Sequence, residues 1–125
     1  MTADDRARQS VTPELIEAFA RDGAVCLRQL LSPAEVQRLR EGIDANLAAP
    51  SPRAKVASRP DDPGFFIEDF CCWQDNAAYR DVIFQSGLAA AAGRLTGSRR
   101  IRLYHDHMLT KEPGTRYLLQ GEVKP

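Results

Sequence analysis

One stretch near the carboxyl end, residues 100–115 with the sequence RIRLYHDHMLTKEPGT, most constrains the fold of this 125-residue chain. Side-chain character alternates along it with a period of two, which is the pattern of a β-strand with two different faces. Residues two apart point to the same side of a strand, so His105 and His107 share a face. The sequence therefore predicts a strand that presents both imidazoles together, followed by a turn at Pro113 and Gly114.

The two histidines permit a metal site. Imidazoles at this spacing lie about 6.5 Å apart along a strand, close enough for inward-leaning rings to bind one ion. Glu112 follows five residues after His107 and offers an oxygen ligand, so a site of His105, His107 and Glu112 is one hypothesis. The alternative is that a half-buried strand uses its histidines for hydrogen bonding alone. The spacing by itself leaves both interpretations open.

Length, charge and cysteine usage limit the classes of function. A chain of 125 residues suits one domain, and its 17 basic and 17 acidic side chains cancel, so no overall field attracts nucleic acid or an anionic membrane. A small organic molecule or a protein remains open as the partner. The cysteines form no CxxC pair, the amino terminus has no apolar signal region, and no apolar run approaches the ~18 residues that cross a bilayer. We expect a cytoplasmic protein.

Local signals predict the remaining elements. Residues 1–10 are polar, and we expect a disordered lead-in there. N-cap residues, apolar periodicity and closing glycines predict four helices, over residues 13–21, 33–48, 77–84 and 88–95. Apolar runs predict two further strands, over residues 24–28 and from residue 65 towards residue 73. The proline-rich residues 49–64 are expected to form a long loop, of the kind that often serves as a lid or substrate rim.

Four strings resemble, in order along the chain, the phytanoyl-CoA dioxygenase family of Fe(II)- and 2-oxoglutarate-dependent oxygenases. They are FARDGAVCLRQLLSPAEVQRLREGID, FFIEDFCCWQ, LAAAAGRLTGS and RLYHDHMLTKEPGT, and the likeness covers residues 11–115. The resemblance implies an α+β fold, a partial double-stranded β-helix (a cupin-like jelly roll) with the amino-terminal and mid-chain helices packed outside. Residues 11–125 are then expected to be a single incomplete oxygenase-like domain.

The resemblance also implies a cofactor chemistry. Members of the family use Fe(II) and 2-oxoglutarate to hydroxylate a small organic substrate, and they hold the iron with an HxD motif and a distal histidine. Two imidazoles and one carboxylate leave three positions open, two for the 2-oxo acid and one for dioxygen. No HxD occurs in this sequence, because residue 107 is itself a histidine and residue 109 is a leucine. We therefore expect a chain truncated before the iron site, which binds neither cofactor and is inactive alone.

The resemblance implies four cofactor or cavity contacts in full-length relatives. Met108 falls near a position that contacts 2-oxoglutarate, and Lys111 lies in the shared KEPGT string, where a cation meets a carboxylate of the co-substrate or braces the HxD loop. Tyr104 and His105 line the same cavity.

An alternative of a different class is a non-catalytic module on the same scaffold. Such a module would bind a protein partner, or form a homo-oligomer through exposed strand edges. Residues 116–125, RYLLQGEVKP, would then pair as a closing strand.

Overall fold

The computed structural model describes residues 1–116, which form five helices and three short strands. The helices are α1 (Ala3–Ser10), α2 (Pro13–Asp22), α3 (Pro33–Ala48), α4 (Ala77–Gln85) and α5 (Leu88–Thr96), and the strands are β1 (Lys55–Val56), β2 (Phe66–Phe70) and β3 (His107–Lys111). Within residues 1–116, no helix combines the length and apolar character needed to cross a bilayer. The predicted mixture of helices and strands is confirmed.

The four predicted helices are confirmed, and three of them, α2, α3 and α4, begin at a side-chain cap that the sequence supplies. The Thr12 hydroxyl accepts a hydrogen bond from the third residue of α2, and Gly23 ends that helix in the left-handed conformation with φ of 77°. A capping box between Ser32 and Glu35 starts α3. The Asn76 side chain caps α4 by accepting a hydrogen bond from the Tyr79 amide. These ends depend on neighbours in sequence, which is why the sequence predicts them well.

The expectation of a disordered lead-in is wrong, because residues 3–10 form α1. A capping box between Thr2 and Asp5 starts this helix. Ala7 is completely buried, and the Arg6 guanidinium binds the Glu35 carboxylate at the start of α3 with an N–O distance of 2.6 Å. A single small apolar side chain gives no visible periodicity, so the sequence pattern did not indicate this docking.

The helices pack in two groups. Helix α5 contacts both α1 and α2, and a buried cluster holds that group together: Ala7, Val11, Leu30 and Ala91. Helix α3 packs on α4, and Gly42 permits the close approach. A Cβ atom at Gly42 would lie 2.9 Å from both Ala78 Cβ and Tyr79 Cδ1. No larger residue fits that position without displacing α4.

The sheet is antiparallel, with β2 between β1 and β3. Strand β1 lies inside the proline-rich segment that was predicted to be loop throughout. Residues 24–28 form no strand and are exposed or half-buried, so the strand predicted there is wrong. The turn at Pro113 and Gly114 is confirmed. A jelly roll is not confirmed, since residues 1–116 contain a single three-stranded sheet.

The alternating stretch forms a shorter strand than its pattern predicts. β3 begins at His107, opposite Phe70, and residues 101–106 have no regular structure. Cys71, directly after β2, has a φ of 54°, which turns the backbone out of the strand direction. Residues 101–106 therefore find no partner in β2, and the ladder stops where β2 stops.

Candidate functional site

The pairing of β2 with β3 sorts their side chains onto two faces. Residues directly opposite one another in an antiparallel pair point to the same side. Asp69 pairs with Met108, and Phe70 pairs with His107. The Asp69 carboxylate is hydrogen-bonded by Asn46 of α3, so the Asp69 face is the one that packs on the helices. The opposite face carries the other ionisable side chains of the sheet.

We call this opposite side the charged face, and define it by Lys55, Glu68, His107 and Lys111. His107 contacts two side chains of β2. Its Nε2 lies 3.2 Å from a Glu68 carboxylate oxygen, and its ring stacks on Phe70 with 4.2 Å between ring centroids. A carboxylate and an aromatic ring thus fix the position of this imidazole from two sides.

The two lysines of the charged face lie over aromatic rings. Lys55 Nζ is 5.7 Å from the centroid of Phe70, and Lys111 Nζ is 5.6 Å from the centroid of Phe66. Cation–π contacts at this distance attract an ammonium group to the ring face. Among residues 1–116, two ammonium groups and one imidazole therefore lie on the same face as the Glu68 carboxylate. Such an arrangement favours an anionic ligand.

The helix-facing side holds a buried hydrogen-bond network centred on Asp69. Its carboxylate accepts from the Ser51 hydroxyl at 2.5 Å, the Ser51 amide at 2.7 Å, Asn46 Nδ2 at 2.8 Å and the Phe70 amide at 2.9 Å. Burial alone would raise the pKa of Asp69, and these hydrogen bonds outweigh burial and hold that pKa far below its usual range. Asp69 is therefore a permanent anion that joins α3, the proline-rich segment and β2.

Two neighbours of this network keep their neutral forms. The Tyr79 hydroxyl donates to Asn46 Oδ1 at 3.0 Å, and burial raises the pKa of Tyr79 to about 12. Burial and the adjacent Asp69 carboxylate raise the pKa of the Cys72 thiol. Neither group is poised to exchange a proton near neutral pH. We assign the Asp69 network to structure, not to acid–base chemistry.

Asp106, between the two histidines, also has a structural position. Its carboxylate accepts hydrogen bonds from the amides of Cys72 at 3.0 Å and Trp73 at 3.2 Å, and its carbonyl accepts from the amide of Cys71. These bonds attach the end of β2 to the start of β3. The sequence pattern gave no indication of this role.

The hypothesis of a metal site from His105, His107 and Glu112 is wrong. The two imidazole centroids are 6.3 Å apart, close to the spacing predicted for a strand. Glu112, however, lies beside Phe65, whose carbonyl accepts its amide, and five residues of strand separate it from His107 by about 16 Å. No three His, Cys, Asp or Glu side chains of the described part of the chain are grouped to hold a metal ion. The donors present do not fit an iron site of two imidazoles and one carboxylate.

The four residues predicted to contact cofactor do not share one surface. Met108 is buried on the helix-facing side, where it lines a cavity of about 320 Å³ with apolar residues of α3 and α4. Lys111 lies on the charged face. Tyr104 precedes β3 and is 94% exposed, with its ring 4.9 Å from that of His105. The structure therefore brings Tyr104 and His105 together and separates both from Met108.

Sequence reasoning missed Lys55 and Glu68 as members of the site. The alternation along β2 shows which face Glu68 lies on. Its side-chain contact with His107, however, depends on the register between two strands that lie far apart in the sequence. Lys55 has no local signal, because its strand has only two residues and lies in a proline-rich segment. The closing strand predicted over residues 116–125 falls, from residue 117 onwards, outside the described residues.

A comparison with known families finds a match over most of the chain. Residues 19–117 match the family described as Phytanoyl-CoA dioxygenase (PhyH), a stretch that includes α3 to α5 and the whole sheet. No solved structure matches the chain. Since the match spans most of the sequence and includes every residue of the charged face, the chain belongs to the phytanoyl-CoA dioxygenase family.

Proposed function

We propose that this chain serves in a 2-oxoglutarate-dependent oxygenase that acts on a small organic molecule. The family match over residues 19–117 carries this proposal. In such a reaction the substrate gains a hydroxyl group while 2-oxoglutarate is converted to succinate and carbon dioxide, and bound iron supplies the oxidising chemistry. The residues of this chain bind and position the reactants.

Within that function, the charged face is the proposed site for the co-substrate. 2-Oxoglutarate carries two carboxylates at neutral pH, and Lys55 and Lys111 present two ammonium groups on one side of the sheet. His107, held by Glu68, adds a hydrogen-bonding ring on the same face. Lys111 is thus retained from the predicted contacts, and Lys55 is added to them. Contacts from Met108, Tyr104 and His105 remain predictions that rest on the family resemblance.

We further propose that this chain does not form the iron site by itself. The proposal rests on the donor set: the described residues place no carboxylate with His105 and His107 in the geometry that iron requires. The HxD motif and the distal histidine would then be supplied by other residues than these. On this view the isolated chain does not turn over substrate.

An anaerobic titration of the purified chain with Fe(II) and 2-oxoglutarate tests the iron proposal. We expect no visible charge-transfer band from the chelated complex, in a protein that circular dichroism shows to be folded. A band that saturates at one iron per chain would overturn the proposal.

Calorimetric titration with 2-oxoglutarate alone tests the charged face. Combined substitution of Lys55→Gln and Lys111→Gln should weaken binding by about tenfold, because each exposed ammonium–carboxylate contact contributes up to about 1 kcal/mol. Arg28→Gln with Arg40→Gln is the matched control, since both arginines are exposed and lie outside the charged face. An equal loss of 2-oxoglutarate affinity in the lysine and arginine double variants would exclude a specific role for the lysines. No loss of affinity in either double variant would exclude it as well.

A further inference from the structure

The segment between α5 and β3 is exposed and unpaired. Every residue from Arg99 to His105 is exposed, and the backbone of this segment makes no hydrogen bond to the backbone of any described residue outside it. A run of free amide and carbonyl groups beside a sheet is a template for a further strand. The alternating side chains of residues 101–105 also favour the strand conformation.

The segment is also strongly basic. From Val82 to His105 the sequence contains four arginines and no acidic residue, although the whole chain has a formal net charge of zero. Arg94 donates to the carbonyl of Val11. The side chains of the other three form no ion pair or hydrogen bond with any described residue: Arg99, Arg100 and Arg102. The acidic residues nearest in the sequence already have other partners: Asp81 forms an ion pair with Arg38, and Asp106 accepts hydrogen bonds from backbone amides.

An apolar groove runs beside these arginines. It has a volume of about 290 Å³ and lies between the segment and helices α4 and α5. Phe84 is 58% exposed, and Ile101 and Leu103 are about two-fifths exposed. Its other apolar lining residues are Ile83, Leu88, Ala89 and Ala92. We call the groove together with Arg99, Arg100 and Arg102 the basic groove.

We propose that the basic groove binds an extended, acidic segment of another protein, which adds a strand alongside residues 99–105. The free backbone groups call for a partner that carries amides and carbonyls, which favours a peptide over a lipid surface. Alternate apolar side chains of that peptide would enter the groove beside Ile101 and Leu103. Its carboxylates would pair with the free guanidinium groups, which bind carboxylates in a bidentate manner.

Fluorescence anisotropy with a short labelled peptide of alternating Asp and Val tests this proposal. We expect it to bind the full chain at least about tenfold more tightly than a peptide of alternating Lys and Val, because the charges facing the arginines are reversed. Arg100→Glu with Arg102→Glu should remove most of this preference. Arg28→Glu with Arg40→Glu, an equal charge change on exposed arginines away from the groove, should leave it intact.

Backbone pairing is tested on the peptide, so that the fold of the protein is untouched. N-methylation of alternate amides in the Asp–Val peptide should weaken binding by about tenfold or more if a strand is added, since the donors of the ladder are lost. Amides of residues 101–106 should also gain protection from hydrogen exchange when the unmethylated peptide binds.

Several outcomes would overturn the proposal. Equal affinity for the acidic and basic peptides would remove the charge argument, and indifference to N-methylation would remove strand addition. Light scattering that shows a dimer abolished by the Arg100 and Arg102 substitutions, with no peptide binding, would make a second copy the occupant. Sedimentation with phosphatidylserine vesicles but no peptide binding would assign the basic groove to a membrane surface.

Discussion

Asp69→Asn should destabilise the fold by about 2–4 kcal/mol. The substitution keeps the size of the side chain but replaces one acceptor oxygen with an NH₂ donor. If the NH₂ group takes the Oδ1 position, it faces the Phe70 amide, so the hydrogen bond from that amide is lost. The Ser51 hydroxyl, its other neighbour there, can rotate to accept a hydrogen bond from the NH₂ group. At the Oδ2 position it meets two N–H donors, from Ser51 and Asn46, so the first orientation is favoured.

The magnitude follows from the four bonds. Hydrogen bonds to a charged group contribute about 1.5–3 kcal/mol each and neutral ones about 0.5–1.5, so three retained bonds weaken by roughly 3 kcal/mol in total. One orphaned amide adds about 1–3 kcal/mol, and relief from burying a charge offsets part of the loss. A net change of about 3 kcal/mol corresponds to a fall of about 10 °C in melting temperature for a chain of this size.

Urea denaturation followed by circular dichroism at neutral pH measures this loss. Asp61→Asn is the control, because Asp61 is an exposed partner of Arg116 and should change the free energy of unfolding by less than about 1 kcal/mol. A loss below 0.5 kcal/mol for Asp69→Asn, on the order of an ordinary surface substitution, would refute the assignment of Asp69 as a structural centre.

The difference in unfolding free energy between wild type and Asp69→Asn should also depend on pH, and the direction of that dependence follows from the pKa of Asp69. The pKa of Asp69 in the folded state is lowered from its ordinary value of 3.8, so its contribution is fully present above that value and is lost as the pH falls below it. The stability gap between wild type and Asp69→Asn should therefore be constant from neutral pH down to about pH 5 and narrow below pH 4. A gap that widens on acidification would contradict this prediction.

Two further substitutions test how the helices pack. Gly42→Ala should cost about 1–3 kcal/mol in urea denaturation, because the new Cβ lies 2.9 Å from Ala78 Cβ, and adding Ala78→Gly should recover part of that loss. No loss in Gly42→Ala would show that α3 and α4 can separate without cost. Arg6→Met should cost about 1–3 kcal/mol by removing the part-buried ion pair with Glu35, which would demonstrate that α1 is docked. A change under 0.5 kcal/mol there would mean that α1 contributes nothing to the fold.

Helix ends were predictable because their causes are local. The hydroxyl of Ser32 and the carboxylate of Glu35 cap α3 within one turn, and Gly23 ends α2 through its own backbone conformation. Helix α1 has a capping box of the same kind in Thr2 and Asp5. It was missed because a cap without an apolar stripe indicates no packing partner, and its docking depends on residues more than twenty positions away.

The site was less predictable because it depends on register. The sequence placed His107 on a face with His105, and the structure places its ring against Phe70 and Glu68 of another strand. No feature within β3 specifies which residues of β2 lie opposite. The metal hypothesis failed for a related reason, since Glu112 follows closely in sequence but lies far along the strand from His107.

The length of β3 depends both on the local sequence pattern and on a pairing partner from elsewhere in the chain. The alternation over residues 101–110 is a property of the sequence, whereas a strand also needs a neighbour that supplies hydrogen bonds. β2 supplies that neighbour only as far as Phe70, because the positive φ of Cys71 turns the chain away. Residues 101–105 thus keep the side-chain pattern of a strand without its hydrogen bonds. The basic groove forms where that strand-forming sequence lies unpaired beside exposed apolar side chains of α4 and α5, which is why a pairing partner is the occupant that both the sequence pattern and the packing favour.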